Sequence, residues 1–354
     1  MRNWARRDVR FSPVAVTDWI ESGELPRAWG GSAGRAVLRA RPEDFKVQEL
    51  LGFEPAGQGE HVLLLVRKRN LTTREMARRV ARAAGAKLAD VGYCGMKDRD
   101  ALTTQWFSVL LTTRPDPDWA ELNTPQTALI KRARHTRKLR PGTHTGNRFE
   151  LILNDVEGPA RAFERRLQAM QAGGFPNYFG VQRFGTRGDN AERARAMLAG
   201  ELRVRRSERG ILLSALRSAL FNRVLAQRVD EGSWSTALPH DVLMLAGTHS
   251  VFEFDENEDS IDARLASGDL HVTGPMYGHA RDDLGKLRGA EQAILAPFAA
   301  DLSILEDAGV KAQRRALRAI PGDLDWRWQG ERCLELTFTL EPGVFATSLV
   351  RELI

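Results

Sequence analysis

The amino-acid sequence predicts an α+β protein, an α/β mixture in which a mixed, mostly antiparallel sheet is flanked by helices and interrupted by a helix-rich insertion. Three observations carry this expectation. Strand-like segments crowd the first part of the chain, helical patterns dominate residues 188–320, and strand character returns in Leu334-Glu335-Leu336-Thr337-Phe338-Thr339-Leu340. The late strand is expected to rejoin the early sheet. Residues 1–174 and 321–354 would then form one domain and residues 175–320 a second, inserted one.

The elements follow in order. Val37-Leu38 is too short to assign, but Phe45-Lys46-Val47-Gln48 and the run His61 to Val66 have strand composition, with a Gly- and Pro-containing loop between them. Thr72 opens a helix: Thr72 and Glu75 have capping-box spacing, Met76, Val80 and Ala84 share a face, and Gly85 stops it. Leu102 to Leu111 and Phe149 to Leu153 read as strands. Pro159 opens a helix with the stripe Phe163, Leu167 and Met170, closed by Gly173-Gly174. Helical patterns follow at Glu192 to Leu198, Leu212 to Val229, Ala290 to Leu295 and Lys311 to Ile320, and the chain ends in a helical pattern from Ala346 to Ile354. No internal repeat or low-complexity tract interrupts this order.

Composition narrows the function classes. With 42% apolar and 28% charged residues in 354, the chain is neither disordered nor fibrous. No apolar run approaches the roughly 18 residues that cross a bilayer, so no membrane association is expected. The start, MRNWARRDVRF, lacks the apolar core of a secretory signal. Cys94 and Cys333, the 2 cysteines, cannot build a disulfide framework or a zinc site by themselves, which points to a reducing, cytoplasmic compartment. Cys94 is expected to be an inert packing residue.

The charge is +6, from 52 basic and 46 acidic residues. Its distribution says more than its sum. Lys131, Arg132, Arg134, Arg137, Lys138, Arg140 and Arg148 fall in one acid-free run with His135 and His144, and the stretch Arg67 to Arg82 holds seven more basic residues and one acid, Glu75. Each run could be a solvated basic face; two of them together point to a phosphate backbone.

Common catalytic signatures are absent. There is no phosphate-binding loop ending in Gly-Lys-Ser/Thr, no G-x-G-x-x-G after a strand, no H-E-x-x-H and no G-x-S-x-G, and the 7 histidines do not cluster at ligand spacing. The segment Gly92-Tyr93-Cys94-Gly95-Met96-Lys97-Asp98-Arg99-Asp100 differs. It sets an acid between Lys97 and Arg99 in a Gly-containing loop between a helix and a strand. Neighbouring cations favour an ionised carboxylate, which a nucleophile or a general base requires. The plain alternative is an Asx-turn aspartate. The aromatic cluster Phe175 to Gly185 reads as an interdomain hinge, although its aromatics beside Arg183 and Gln182 also have base-stacking chemistry.

Five stretches together resemble one family, the TruD family of tRNA pseudouridine synthases. They are Pro42-Glu43-Asp44-Phe45; Gly95-Met96-Lys97-Asp98 with Thr103-Thr104-Gln105-Trp106; the run Arg134 to Arg140 followed by Gly146-Asn147-Arg148-Phe149; Pro176-Asn177-Tyr178-Phe179-Gly180 through Arg183-Phe184-Gly185; and Phe345-Ala346-Thr347-Ser348-Leu349-Val350-Arg351-Glu352-Leu353. They stand in the family's order from near residue 37 to the end. Residues 1–35 and about 230–300 carry little of the signal.

The resemblance implies a pseudouridine-synthase catalytic domain with an inserted family-specific domain. It implies isomerisation of a tRNA uridine, usually at position 13, to its C-glycoside without cofactor or metal. It places the essential aspartate on Asp98 and uridine contacts on Phe45, Asn147 and Phe345. Phe149 stands where many other pseudouridine synthases carry a tyrosine, and looser analogy with the wider superfamily makes Arg351 the basic partner of the aspartate. Lys97, Arg134, His135, Arg137, Lys138 and Arg140 are the expected RNA contacts. The implied partner is tRNA, with no obligate protein partner. The residue types suit the chemistry: a base flipped from a folded RNA is stacked on aromatic rings and read by an amide that both donates and accepts. Core packing is the alternative for each phenylalanine, and a surface helix position for Arg351. Two other functions stay open at this point. One is an RNA-binding assembly factor in which Asp98 only makes a turn. The other is a different base-modifying enzyme such as a methyltransferase, which would need a nucleotide-like cofactor site that no Gly-rich fingerprint supplies.

Overall fold

The structure is a computed structural model that describes residues 25–112, 116–185 and 187–354. In chain order its strands are β1 (Arg35–Leu38), β2 (Phe45–Leu50), β3 (His61–Arg69), β4 (Val91–Tyr93), β5 (Leu102–Leu110), β6 (Thr127–His135), β7 (Gly146–Glu157), β8 (Phe175–Pro176), β9 (Val242–Leu245), β10 (Val251–Glu253), β11 (Leu270–Met276), β12 (Gln313–Ala316), β13 (Arg318–Ala319), β14 (Gly322–Trp328) and β15 (Leu334–Leu340). Its helices are α1 (Thr73–Ala83), α2 (Ala160–Gly173), α3 (Asn190–Leu198), α4 (Arg206–Asp230), α5 (Ile261–Ser267), α6 (Ala290–Leu295), α7 (Ala299–Asp307) and α8 (Ala346–Arg351). The chain divides into two compact units. Among the described residues, a sheet unit comprises residues 33–171, 321–346 and 353–354, and a helix-rich unit comprises residues 25–32, 172–320 and 347–352.

The sheet unit is built on nine strands in the order β14-β15-β7-β2-β5-β3-β6, with β1 on β7 and β4 on β5. Only the β2–β5 pair is parallel, so the sheet is mixed and mostly antiparallel, as expected. Period-two alternation aims Phe45, Val47 and Glu49 of β2 inward, and likewise Asn147, Phe149 and Leu151 of β7. On this same side, β3 and β5 pack under α1. There Val62, Leu64, Val66, Phe107 and Val109 meet Met76, Ala77 and Val80 in a core whose members are nearly or fully buried. Helix α1 starts at the expected capping box: the Thr72 hydroxyl accepts from the Glu75 N–H at 3.2 Å and the Glu75 carboxylate accepts from the Thr72 N–H at 2.9 Å.

The late strand Leu334–Leu340 does rejoin the early sheet, pairing with β7 from Leu334↔Leu153 to Leu340↔Asn147. Contacts draw the unit boundary differently from the sequence at three places, residues 172–174 being one. Leu25–Ser32 and Thr347–Glu352 group with the helix-rich unit. The cause is visible there: the Ala28 N–H donates to the Glu352 carboxylate at 2.9 Å, and the Trp29 indole N–H to the Gly174 carbonyl at 2.9 Å.

The helix-rich unit is centred on α4, whose middle turns are buried on every side, from Leu212 through Ala215, Leu216, Leu220 and Phe221 to Leu225. It also holds a four-stranded sheet, β10-β9-β11-β12, which helical patterning did not foresee. The stretch Lys311 to Ile320, expected to be helical, forms β12 and β13 instead. Its Ala, Arg and Leu content favours a helix locally, but ladder pairing of Gln313–Ala316 with β11 outweighs that small preference. Strand geometry also seats Arg315 against two rings, its guanidinium 4.2 Å from the Phe179 ring centre and 5.5 Å from that of Phe221. At Gly274 in β11 a Cβ would come within 2.8 Å of Leu317 and 3.1 Å of the Phe221 ring, so the close approach of strand and helix requires glycine.

Candidate active site

Asp98 lies in the loop between β4 and β5 of the sheet unit. The register of the sheet explains what lies beneath that loop. Lys68, Thr103, Val47, Phe149 and Phe338 face one another in a row across β3, β5, β2, β7 and β15. A neighbouring row places Glu49 beside Asn147. The same face is therefore apolar at one end and polar at the other, and the loop rests on the polar end.

Five contacts hold the loop. Gln105 Nε2 donates to the Gly95 carbonyl at 2.6 Å, and Thr73 Oγ1, which donates to Gln105 at 3.0 Å, accepts from the Lys97 N–H at 2.9 Å. Lys97 Nζ sits 2.7 Å from Glu49 Oε2, with both side chains buried. Lys68 Nζ donates to the Leu71 carbonyl at 2.7 Å and to the Asp98 carbonyl at 3.4 Å. The Cys94 carbonyl accepts from Gly142 N–H at 2.8 Å, which ties the loop to the segment before β7. With Gly95, Lys97 and the Asp98 backbone fixed, the Asp98 carboxylate is left 40% exposed at the surface of the site.

That carboxylate accepts from Arg39 Nη2 at 2.8 Å. Arg39 lies just after β1 with a positive φ of 64°, a strained conformation for a residue with a side chain. Its guanidinium lies over the face of Phe45, 3.8 Å from the ring centre. Phe45 in turn meets Phe149 edge-on at 6.1 Å, and Phe149 stacks on Phe338 at 5.3 Å. The chain of contacts runs from the buried sheet core through three rings to the cation that holds Asp98.

Burial shapes the ionisable groups below. It pushes the Glu49 carboxyl up, opposed by the Lys97 ammonium. It lowers Lys68 to about 8, with the Asp98 charge opposing and Lys97 assisting. Cys94 is pushed up to about 12 by burial and by Glu49, so its thiol stays protonated and unreactive. His144 is lowered to about 4 by burial and then by Lys97, so it is neutral near pH 7. Between the folded value near 4 and the ordinary 6.5 the unfolded chain binds the proton more readily. This contribution to stability is complete above pH 6.5 and is lost as pH falls toward 4. His144→Gln is therefore expected to flatten the acid side of the stability curve, by up to about 3 kcal/mol between pH 7 and 4. Urea titrations at several pH values measure it; parallel curves for variant and wild type would remove His144 from the acid response.

The residues named from sequence separate into groups. Asp98, Phe45, Asn147 and Phe149 come together on this face, joined by Arg39. Phe45 and Phe149 are buried, and one face of Phe45 is covered by Arg39, so these rings support the site from behind. Among the described residues the buried Asn147 Oδ1 has no hydrogen-bond partner. Phe345 is half-buried directly before α8. Lys97, expected to meet RNA, is instead turned inward onto Glu49, because that buried carboxylate needs a cation. Arg134 is paired with Asp116, and Lys138 donates to the Ala89 carbonyl. His135 stacks on Phe53, while Arg137 and Arg140 are exposed. Arg351 belongs to the helix-rich unit, where its Nη1 donates to the Pro26 carbonyl at 3.3 Å and its guanidinium lies 5.5 Å from the Tyr178 ring.

Sequence reasoning missed Arg39, Glu49, Lys68 and Thr73. Each reads as an ordinary surface residue of a strand, a turn or a helix start, and only the tertiary packing around the sheet brings them to the loop. Among the described residues no helix is long and apolar enough to cross a membrane, and no group of three His, Cys, Asp or Glu side chains is placed to hold a metal ion.

Comparison with known proteins agrees with this architecture. A crystal structure of a chain from Methanosarcina mazei, named for tRNA pseudouridine synthase D (TruD), superposes with a TM-score of 0.71 over 95% of this chain and 97% of that one, at 18% identity. This shows the shared fold. Sequence similarity is much higher elsewhere. The chain is 44% identical over 333 residues to a tRNA pseudouridine synthase D of Methylococcus capsulatus, covering 94% of both proteins. It is 47% identical over 331 residues to that of Stutzerimonas stutzeri, covering 93% of this chain and 95% of the relative. The family model for tRNA pseudouridine synthase D (TruD) matches residues 30–205 and 202–353, and the chain belongs to that family.

Proposed function

We propose that this protein isomerises one uridine of tRNA, at position 13, to pseudouridine, with Asp98 as the reacting carboxylate. The observation that carries this reading is the Asp98–Arg39 contact at 2.8 Å, on a loop fixed from beneath by Gln105, Thr73, Lys97 and Lys68. A carboxylate that is accessible, oriented and held on immobile backbone suits attack on the sugar carbon or removal of a sugar proton. Either route lets the uracil detach, turn and rejoin through carbon. The buried Asn147 Oδ1, without a hydrogen-bond partner among the described residues, suits the uracil N3–H, a donor that a buried acceptor would select. In this reading Arg39 takes the role of basic partner that superfamily analogy gave to Arg351, and Phe45 keeps Arg39 in place. Phe345 is the stacking partner for the flipped base, and the exposed Arg137 and Arg140 meet phosphates.

The test is pseudouridine mapping of bulk tRNA, isolated from cells lacking this protein and incubated with the purified enzyme. Pseudouridine appearing at position 13 and nowhere else is expected. Tight tRNA binding with no pseudouridine at any position would favour the assembly-factor reading.

A further inference from the structure

The sheet unit carries a second feature, away from the Asp98 contacts. An open cavity of about 910 Å³ is lined by Phe53, Glu54, His61, His135, the segment Thr136 to Arg140, and Thr143. Two flat rings lie in its wall. Phe53 and His135 stack with centroids 5.0 Å apart and planes 27° from parallel. The Ala56 N–H donates to His135 Nδ1 at 3.2 Å, so in the neutral ring the proton sits on Nε2. Leu139 is buried, and Phe53 packs on the core cluster that includes Leu139 and Leu51, which fixes the platform from below. Arg137 and Arg140 line the same cavity, are exposed, and take part in no ion pair among the described residues. Glu54 supplies one exposed carboxylate.

A fixed ring pair, two unneutralised guanidinium groups and an acceptor match the parts of a nucleotide. Rings stack a base whatever its identity, guanidinium forks bind phosphate, and a carboxylate accepts from a base N–H or a 2′-hydroxyl. The segment before β7 also touches the catalytic loop, through Gly142 N–H to the Cys94 carbonyl. We propose that this cavity is a subsite for one unpaired nucleotide of the substrate tRNA, its base stacked on the Phe53–His135 pair and its phosphates held by Arg137 and Arg140. The proposal rests on the tRNA reading above and adds to it a contact distinct from the one that holds the reacting uridine.

The experiment measures tRNA binding and turnover separately on the full-length protein. Phe53→Ala is expected to raise both Kd and KM for an unmodified tRNA transcript by about tenfold, with kcat within about twofold of wild type. Phe53→Tyr, which keeps the ring, is expected to restore both. The exposed pair Arg137→Ala/Arg140→Ala does not depend on core packing. It is expected to weaken binding and to lower the dependence of log K on log salt by about two, whereas Phe53→Ala leaves that slope unchanged. Wild-type Kd and KM in folded Phe53→Ala, or no rescue by tyrosine, would overturn the subsite while leaving the catalytic proposal intact. Micromolar binding of 5′-UMP or 5′-AMP to the free protein would make the cavity a mononucleotide site and overturn it too. A wild type that neither binds nor modifies tRNA would remove both proposals.

Discussion

Asp98→Asn is expected to lower the rate of pseudouridine formation by about 10⁴-fold or more, with the Kd for tRNA unchanged within about twofold. The substitution keeps the shape of the side chain. The loop contacts that hold its backbone involve Gln105, Thr73, Lys97 and Lys68 and are not touched. What is lost is the charge, and an amide can neither attack a sugar carbon nor accept a proton from one at neutral pH. Single-turnover assays with excess enzyme, beside filter binding of the same transcript, separate the two readouts. Arg39→Met is the companion measurement. It leaves the carboxylate in place but removes its 2.8 Å partner, so the expected loss is smaller, about 10²-fold in kcat, as for a misoriented group. Wild-type turnover by Asp98→Asn would take Asp98 out of the mechanism, and an Arg39→Met variant as fast as wild type would leave orientation to other groups.

The parts of this protein that sequence made legible share a physical cause. Strands β3, β5 and β15 are nearly continuous apolar or β-branched runs, because a central strand buries both faces or alternates cleanly. Strand β6, Thr127–His135, was not legible. It closes one edge of the sheet and carries Lys131, Arg132 and Arg134, charges that suit an edge and hide its strand character. Lys311 to Ile320 misled in the opposite sense: its residues favour helix, and only pairing with β11 decides against it. The site divides in the same way. Asp98 could be found because it sits in a recognisable loop motif. Arg39, Glu49 and Lys68 come from three separate segments, and nothing in local spacing joins them. Lys97 shows the hazard of reading charge from a motif. A basic residue beside a reactive acid suggests phosphate binding, yet a buried glutamate from β2 claims it.

That buried pair sets the second large effect. Lys97→Met is expected to destabilise the protein by about 3–5 kcal/mol near neutral pH, since it strands Glu49 as an unpaired buried charge. The side chains of Lys97 and Glu49 are 7% and 0% exposed, so solvent cannot replace the missing partner. The pH dependence gives the argument a second handle. Burial already raises the Glu49 carboxyl above its ordinary 4.5, and Lys97 is the largest influence opposing it. Without Lys97 that value moves further up, and the folded variant takes up a proton that the unfolded chain releases above about 4.5. Protonated Glu49 carries no unpaired charge. The deficit of Lys97→Met is therefore smallest at or below the ordinary carboxylate range and grows as pH rises through the folded value. Replacing both residues, as Glu49→Leu with Lys97→Met, removes the stranded charge and should recover much of the stability. It should not recover activity, because this pair also anchors Lys97, the residue next to Asp98. Urea denaturation from pH 4 to 8, with turnover measured on the double variant, tests both halves. A deficit that does not vary with pH would mean that packing around the lysine stem, rather than the Glu49 charge, holds the loop.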